Sequence, residues 1–131
     1  MKKVLLTTTL LLVMGLQLCF AQKSQSSDYN LRKAYEMLEQ KDEKEALKYI
    51  NQHIKDNPKS SDGYIFRAGL YQRQKKYGQA LMDANNAIKN WDKNEDVPRY
   101  SPYWWRADIY VDMEMYDKAI ADFTTAYKMI V

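Results

Sequence analysis

"YWWRADIYVDMEMYDKAIADFTTAY", Tyr103 to Tyr127, aligns with "YIFRAGLYQRQKKYGQALMDANNAI", Tyr64 to Ile88, at a constant offset of 39 residues. The two match at Tyr64/Tyr103, Arg67/Arg106, Ala68/Ala107, Tyr71/Tyr110, Tyr77/Tyr116, Ala80/Ala119 and Ala87/Ala126. A fainter copy precedes them: Ala34, Ala46 and Ile50 stand 34 residues before Ala68, Ala80 and Ala84. Small residues at 68, 107, 80 and 119 would let two helices approach closely. The tyrosines recur at about two-turn spacing on one face, where they are expected to fill the space between. No stretch alternates with the period of a strand.

Punctuation along the chain agrees with paired helices. Asp42 with Glu45 reads as a capping box, Ser101-Pro102 as an N-cap followed by proline at the first helical position, and Asn57-Pro58 as a stop. The expected helices cover about 28–40, 43–56, 61–75, 78–90, 102–114 and 117–130.

The pattern resembles the tetratricopeptide repeat, a helix-turn-helix unit of about 34 residues with the signature W-x2-L-G-x2-Y, A-x3-F and a closing proline. The third copy offers Tyr103-x2-Arg106-Ala107-x2-Tyr110 and Ala119-x3-Phe123, the second Tyr64-x2-Arg67-Ala68-x2-Tyr71 and Ala80-x3-Ala84. The first keeps Ala34, Ala46-x3-Ile50 and Pro58, with Met37 where tyrosine is expected. Arginine stands in place of the family's leucine, and alanine in place of its glycine. The resemblance implies an all-α, right-handed α-solenoid of about three units spanning 28–131, with repeats near 27–60, 61–94 and 100–131. The excess of 39 over 34 falls in "WDKNEDVPRYSP", as a loop insertion about 95–99 that begins near Trp91.

The first 21 residues, "MKKVLLTTTLLLVMGLQLCFA", read as a secretory signal peptide: two lysines, an apolar run and small residues before a cut after Ala21. Thr7, Thr8, Thr9, Gly15 and Gln17 leave fewer apolar residues than a membrane span of about 20 needs. Acylation at Cys19 is the lesser alternative, because Leu18 precedes it where bacterial lipoprotein signals carry a small residue. Residues 22–27 form a polar lead-in. The expected location is the periplasm or beyond, with the membrane met only through the leader. Cleavage removes the only cysteine, hence any disulfide or thiolate chemistry, and lowers the formal charge from +3 to about +1. That balance gives no reason to expect a nucleic-acid partner.

Catalytic patterns are missing. The single histidine, His53, has no second histidine to pair with, and the four glycines never cluster into a phosphate-binding loop. His53 reads as a space-filling residue at a place usually small. Asp108 and Asp112, one turn apart near Glu114, have the spacing of a cation site or an acid–base pair, but read more plainly as a solvated face paired with nearby Lys or Arg. No enzyme activity, cofactor or metal is expected.

What the resemblance implies instead is a concave groove lined by the first helix of each repeat, which receives a protein or peptide. The matching places are Leu31, Tyr35 and Leu38 in copy one; Ile65, Gly69, Gln72 and Arg73 in copy two; and Trp104, Asp108, Val111 and Asp112 in copy three. Of the two adjacent tryptophans, Trp104 is expected to face the groove, and Trp105 its edge or a neighbouring helix. The family's clamp for chaperone C-terminal carboxylates needs Lys, Asn and Arg at places that here read Leu31, Tyr35, Phe66, Ser101 and Trp105, so no such clamp is expected. Two alternatives stay open: a glycan-binding envelope component using Trp104 and Trp105, and the N-terminal repeat region of a larger protein. "YKMIV" closes an apolar last helix without a polar cap, which points to a downstream domain, self-association or docking on a partner.

Overall fold

The computed structural model describes residues 29–93 and 97–131; the expected leader and lead-in lie outside them. Six helices follow one another there: α1 (29–39), α2 (Glu43–Asp56), α3 (Ser61–Arg73), α4 (Tyr77–Asn90), α5 (Ser101–Asp112) and α6 (Tyr116–Ile130). No strand occurs among the described residues. The chain is a helical solenoid of three antiparallel pairs, in which α3 packs on α4, α5 on α6, and α5 also on both α4 and α3.

The second helix of each pair owes its register to small residues at helical spacing. Ala46 and Ile50 on α2, Ala80, Ala84 and Ala87 on α4, and Ala119 and Ala126 on α6 are all buried. Alanine combines the highest helix propensity with close backbone approach, so these stripes both form the helix and set its distance from the partner. The middle first-helix, α3, is buried on two sides, at Gly63, Ile65, Ala68 and Leu70, because α2 flanks it on one side and α4 and α5 on the other. One apolar cluster joins Ala34, Ala46, Ile50, Ile54 and Leu70, and a second joins Ala68, Ala80, Ala84 and Ile109. Each cluster spans two repeats, so neighbours are welded by apolar burial.

The first helices end two residues earlier than expected at Arg73 and Asp112, and the reason is one motif used three times. Lys41, Lys75 and Glu114 adopt the left-handed conformation with φ of 61°, 58° and 59°. After each, a backbone N–H reaches back across the turn: Asp42 to Met37, Lys76 to Tyr71 and Met115 to Tyr110, all at 2.8 Å. This is the Schellman closure, here without the usual glycine. The three positions are themselves 34 and 39 residues apart, so the repeat is written in its turns as well as its core.

Caps differ in part from expectation. Asp42 does cap α2, accepting from the Glu45 N–H at 3.0 Å, but its own N–H goes to Met37 rather than back to Glu45. Ser101 is the first residue of α5 rather than its cap, and no side chain caps that helix. Asn57 ends α2 as its spacing predicts.

The tyrosines pack against the core as their spacing predicts, Tyr64 on the first cluster and Tyr71 on the second, and they also frame a cation. Arg67 Nε and Nη2 donate to the two oxygens of Asp83 at 2.7 and 2.8 Å, and Nη1 donates to Asn51 at 2.8 Å. Tyr64 and Tyr71 flank the guanidinium, each ring centre 5.9 Å away. Repeat three copies the arrangement: Arg106 forks onto Asp122 at 2.6 and 2.7 Å, reaches Asn85 at 2.8 Å, and lies between Tyr103 and Tyr110. Bonds to Asp83 and Asp122 push both guanidinium pKa values above the ordinary one, against the opposing pull of burial. Each arginine therefore ties the two helices of its own repeat to the second helix of the repeat before.

Candidate functional site

A groove of about 740 Å³ runs across the first helices of the three repeats. Its apolar wall comes from Leu31, Tyr35 and Leu38 of α1 and from Ile65, Phe66 and Leu70 of α3. Tyr35 and Phe66 meet edge to face, ring centres 4.5 Å apart and planes at 88°. Across from them Trp105 of α5 lies over the backbone of Gly69: a methyl built there would stand 3.7 Å from Trp105 Cζ3. Gly69 thus leaves the indole room to form one side of the groove.

Val97 and Pro98, which lie within the expected insertion, supply a further part of the lining. Trp91, on the other side of that segment, donates its indole N–H to the Val97 carbonyl at 2.8 Å and lies under Arg99.

Polar groups gather at two ends. Gln72 donates its amide to Asp108 and to Asp112, both at 2.8 Å. The two carboxylates are therefore held by a neutral amide and not by Lys or Arg, as the plainer reading of the sequence expects. Among the described residues no cation lies within ion-pair distance of either. Arg73, the cation of the lining, is engaged by Glu43 at 3.1 Å.

At the other end Asp62 accepts from the Gly63 N–H at 2.6 Å, bonds Ser60, and stands 3.2 Å from Nε2 of the buried His53. Burial pushes the Asp62 carboxyl up, but its bonds to His53 and Ser60, the His53 charge and the Gly63 N–H outweigh that and leave it below the usual carboxylate range. Burial raises the Tyr35 phenol, and nearby Asp62 raises it further. His53 fills space as its register implies, and it is accommodated because Gly63 faces it: a Cβ there would come within 2.7 Å of the imidazole.

Of the sequence-derived groove residues, Leu31, Tyr35, Leu38, Ile65, Gln72, Arg73, Asp108 and Asp112 line this one cavity. Trp104 and Val111 do not. Trp104 stands edge-on to Phe123 of α6, ring centres 4.9 Å apart, and is 52% exposed on the far side of the last repeat. The register explains the correction. Trp104 repeats Ile65 and Leu31, and Val111 repeats Gln72 and Leu38. Those earlier residues face a first helix of the next repeat, which closes the groove over them, whereas no helix follows α6 among the described residues. Trp105 repeats Phe66, and both face inward. The lining residues that the groove assignment from the sequence left out are Asp62, Phe66, Leu70, Val97, Pro98, Ser101 and Trp105.

The same absence of a following helix leaves Ile120, Tyr127 and Ile130 exposed beside Trp104 and Val111. Their counterparts one repeat earlier, Leu81, Ile88 and Trp91, are all half-buried. Among the described residues no group of His, Cys, Asp and Glu is arranged to hold a metal, and no helix is long and apolar enough to cross a membrane.

The chain has the fold of tetratricopeptide-repeat domains. It superposes on the repeat domain of Arabidopsis OM64 with a TM-score of 0.71 at 21% identity, covering 82% of this chain and 84% of that one. The second repeat domain of Spaghetti (RPAP3), solved with the HSP90 peptide SRMEEVD, gives a TM-score of 0.72 at 18% identity over 86% and 94%. The TPR2B domain of yeast Sti1, solved in complex with an Hsp70 peptide, gives 0.71 at 22% over 80% of each. No family model and no curated protein sequence matches the chain.

Proposed function

We propose that the protein is a non-catalytic scaffold that binds a segment of another protein in the groove between α1, α3 and α5. The observation that carries the reading is the cavity itself. Tyr35, Phe66 and Trp105 converge on an open space of about 740 Å³, rimmed by few polar groups, which is the make-up of a recognition site. Structural relatives solved with peptides lend the reading support. A glycan platform built from both tryptophans is the weaker alternative, since Trp104 meets Phe123 while Trp105 meets Gly69.

The test is capture of interacting proteins from a cell-envelope extract on the immobilised chain, set beside Trp105→Ala and Trp104→Ala. Loss of the retained protein in the Trp105 variant, with circular dichroism unchanged, supports the groove. Equal retention by all three chains refutes it.

We further propose export, on the strength of the leader pattern in residues 1–21. Fractionation and mass measurement check it: a periplasmic chain beginning at Gln22 is expected. A lipid adduct on Cys19 supports the anchored alternative, and a cytosolic chain retaining Met1 overturns both.

A further inference from the structure

Resting on the groove reading, we infer that the segment it takes is cationic and apolar: a bulky apolar or aromatic side chain flanked by Lys or Arg. The inference comes from which charges in the lining are already answered. Arg73, the one cation of the wall, already pairs with Glu43 at the exposed rim, so its charge is offset there by a carboxylate of α2. Among the described residues Asp108 and Asp112 share one neutral side-chain donor, the Gln72 amide, and a carboxylate that receives one such bond keeps further acceptor capacity. Asp62 adds a third carboxylate at the opposite end, but it is already bonded to His53, Ser60 and the Gly63 N–H, so the selecting charge is that of Asp108 and Asp112. An occupant that covers the groove strips water from these carboxylates. Neutral hydrogen bonds alone replace that hydration poorly, whereas a lysine or arginine supplies charge-assisted bonds roughly twice as strong.

The apolar half of the specificity is equally concrete. Leu31, Tyr35, Phe66 and Trp105 present aliphatic and aromatic faces within one cavity, with no basic side chain among them. A peptide such as SRMEEVD, rich in carboxylates, would set its acids against Asp62, Asp108 and Asp112. Exclusion of acidic partners is then built into the same wall that attracts basic ones. The preference of this groove is thus opposite in charge to the HSP90 peptide bound by its structural relative.

Fluorescence anisotropy tests this with three labelled probes: a short peptide alternating leucine and tryptophan with lysine, its counterpart with glutamate for every lysine, and SRMEEVD. The lysine peptide is expected to bind at least roughly tenfold more tightly than either acidic one, and to weaken as salt rises. In the Asp108→Asn/Asp112→Asn chain the ratio should shrink toward one, while Trp105→Ala should weaken the lysine peptide regardless of salt. Should the double variant fail to fold, opposite salt trends for lysine and glutamate peptides on the unmodified chain decide the matter. Equal or tighter binding of an acidic peptide, lost on Trp105→Ala, overturns the charge preference and leaves the groove reading standing. If Trp105→Ala changes the binding of no peptide, both fall.

Discussion

Replacing Arg67 by methionine removes the charged fork that joins α3 to α4 and leaves the Asp83 carboxylate, 3% exposed, with no guanidinium to answer it. Two charge-assisted bonds of 2.7 and 2.8 Å are lost, each of a kind that contributes about 1.5–3 kcal/mol. Because Asp83 cannot be rehydrated without opening the helix pair, the cost should fall near the lower end of the range for a broken buried pair, about 3 kcal/mol. The converse change, Asp83→Leu, should cost less, about 2 kcal/mol, because Arg67 is 21% exposed and keeps Asn51. Removing both charges together should be close to neutral, within about 1 kcal/mol, as apolar side chains of similar volume take over the buried space. For a domain of this size the first change corresponds to a melting temperature lower by roughly 12–24 °C. Urea titrations followed by circular dichroism on the four chains of the cycle measure the coupling. If Arg67→Met costs under about 1 kcal/mol and the two effects simply add, the pair behaves as a screened surface contact and the reasoning fails. Arg106→Met provides an internal comparison and should cost less, because Asp122 lies next to the uncovered side of α6 and is 9% exposed.

Gly63→Ala should destabilise by about 1–3 kcal/mol, since the new methyl would meet the buried His53 ring at 2.7 Å, whereas Gly78→Ala, with open space around it, should gain about 0.5–1 kcal/mol; chemical denaturation separates the two. Lys75→Gly and Glu114→Gly should each raise the melting temperature slightly, by relieving a left-handed non-glycine residue that costs on the order of 1 kcal/mol; a fall in both would argue against the Schellman closure. Asp62 is held below its unfolded value of 3.8, so its contribution is present above that pH and is lost as pH falls through the folded value. The melting temperatures of the unmodified chain and of Asp62→Asn, followed from about pH 6 to about pH 3, should therefore converge below pH 3.8; a constant gap would contradict the assignment.

The architecture was legible because a solenoid repeats its core in its sequence. The buried alanines at 34, 68 and 107 and at 46, 80 and 119 are the same residues that carry the 34- and 39-residue offsets. The arginines were also visible, but as departures from a leucine. Their meaning needed a second reading of the same alignment: Asp83 and Asp122 repeat at the offset of Arg67 and Arg106, sixteen residues behind each. Asn51 and Asn85 complete the set at the 34-residue spacing. Helix ends were harder, because the left-handed turns at Lys41, Lys75 and Glu114 carry no glycine to announce them. Val97 and Pro98 were out of reach for another reason: no periodicity tells on which side of the stack an inserted loop will fall.

The tryptophans show why repeat register yields a fold more readily than a site. Register assigns Trp104 the same direction as Leu31 and Ile65, and that assignment holds. What differs is what lies in that direction. For Leu31 it is α3 and for Ile65 it is α5, so an identical orientation brings both residues into the one groove. At the third repeat the same orientation reaches Phe123 and solvent. Trp105, turned about 100° around the helix, looks back over Gly69 into the enclosed space. A groove in a stacked protein is a property of the gap between units, so the residue that lines it at the final unit is the one facing the unit before. The aromatic side chains that line the groove from the second and third repeats are therefore Phe66 and Trp105, a matched pair at the repeat offset. Tyr35 completes that aromatic wall, Arg73 at its rim pairs with Glu43, and α5 contributes the carboxylates Asp108 and Asp112.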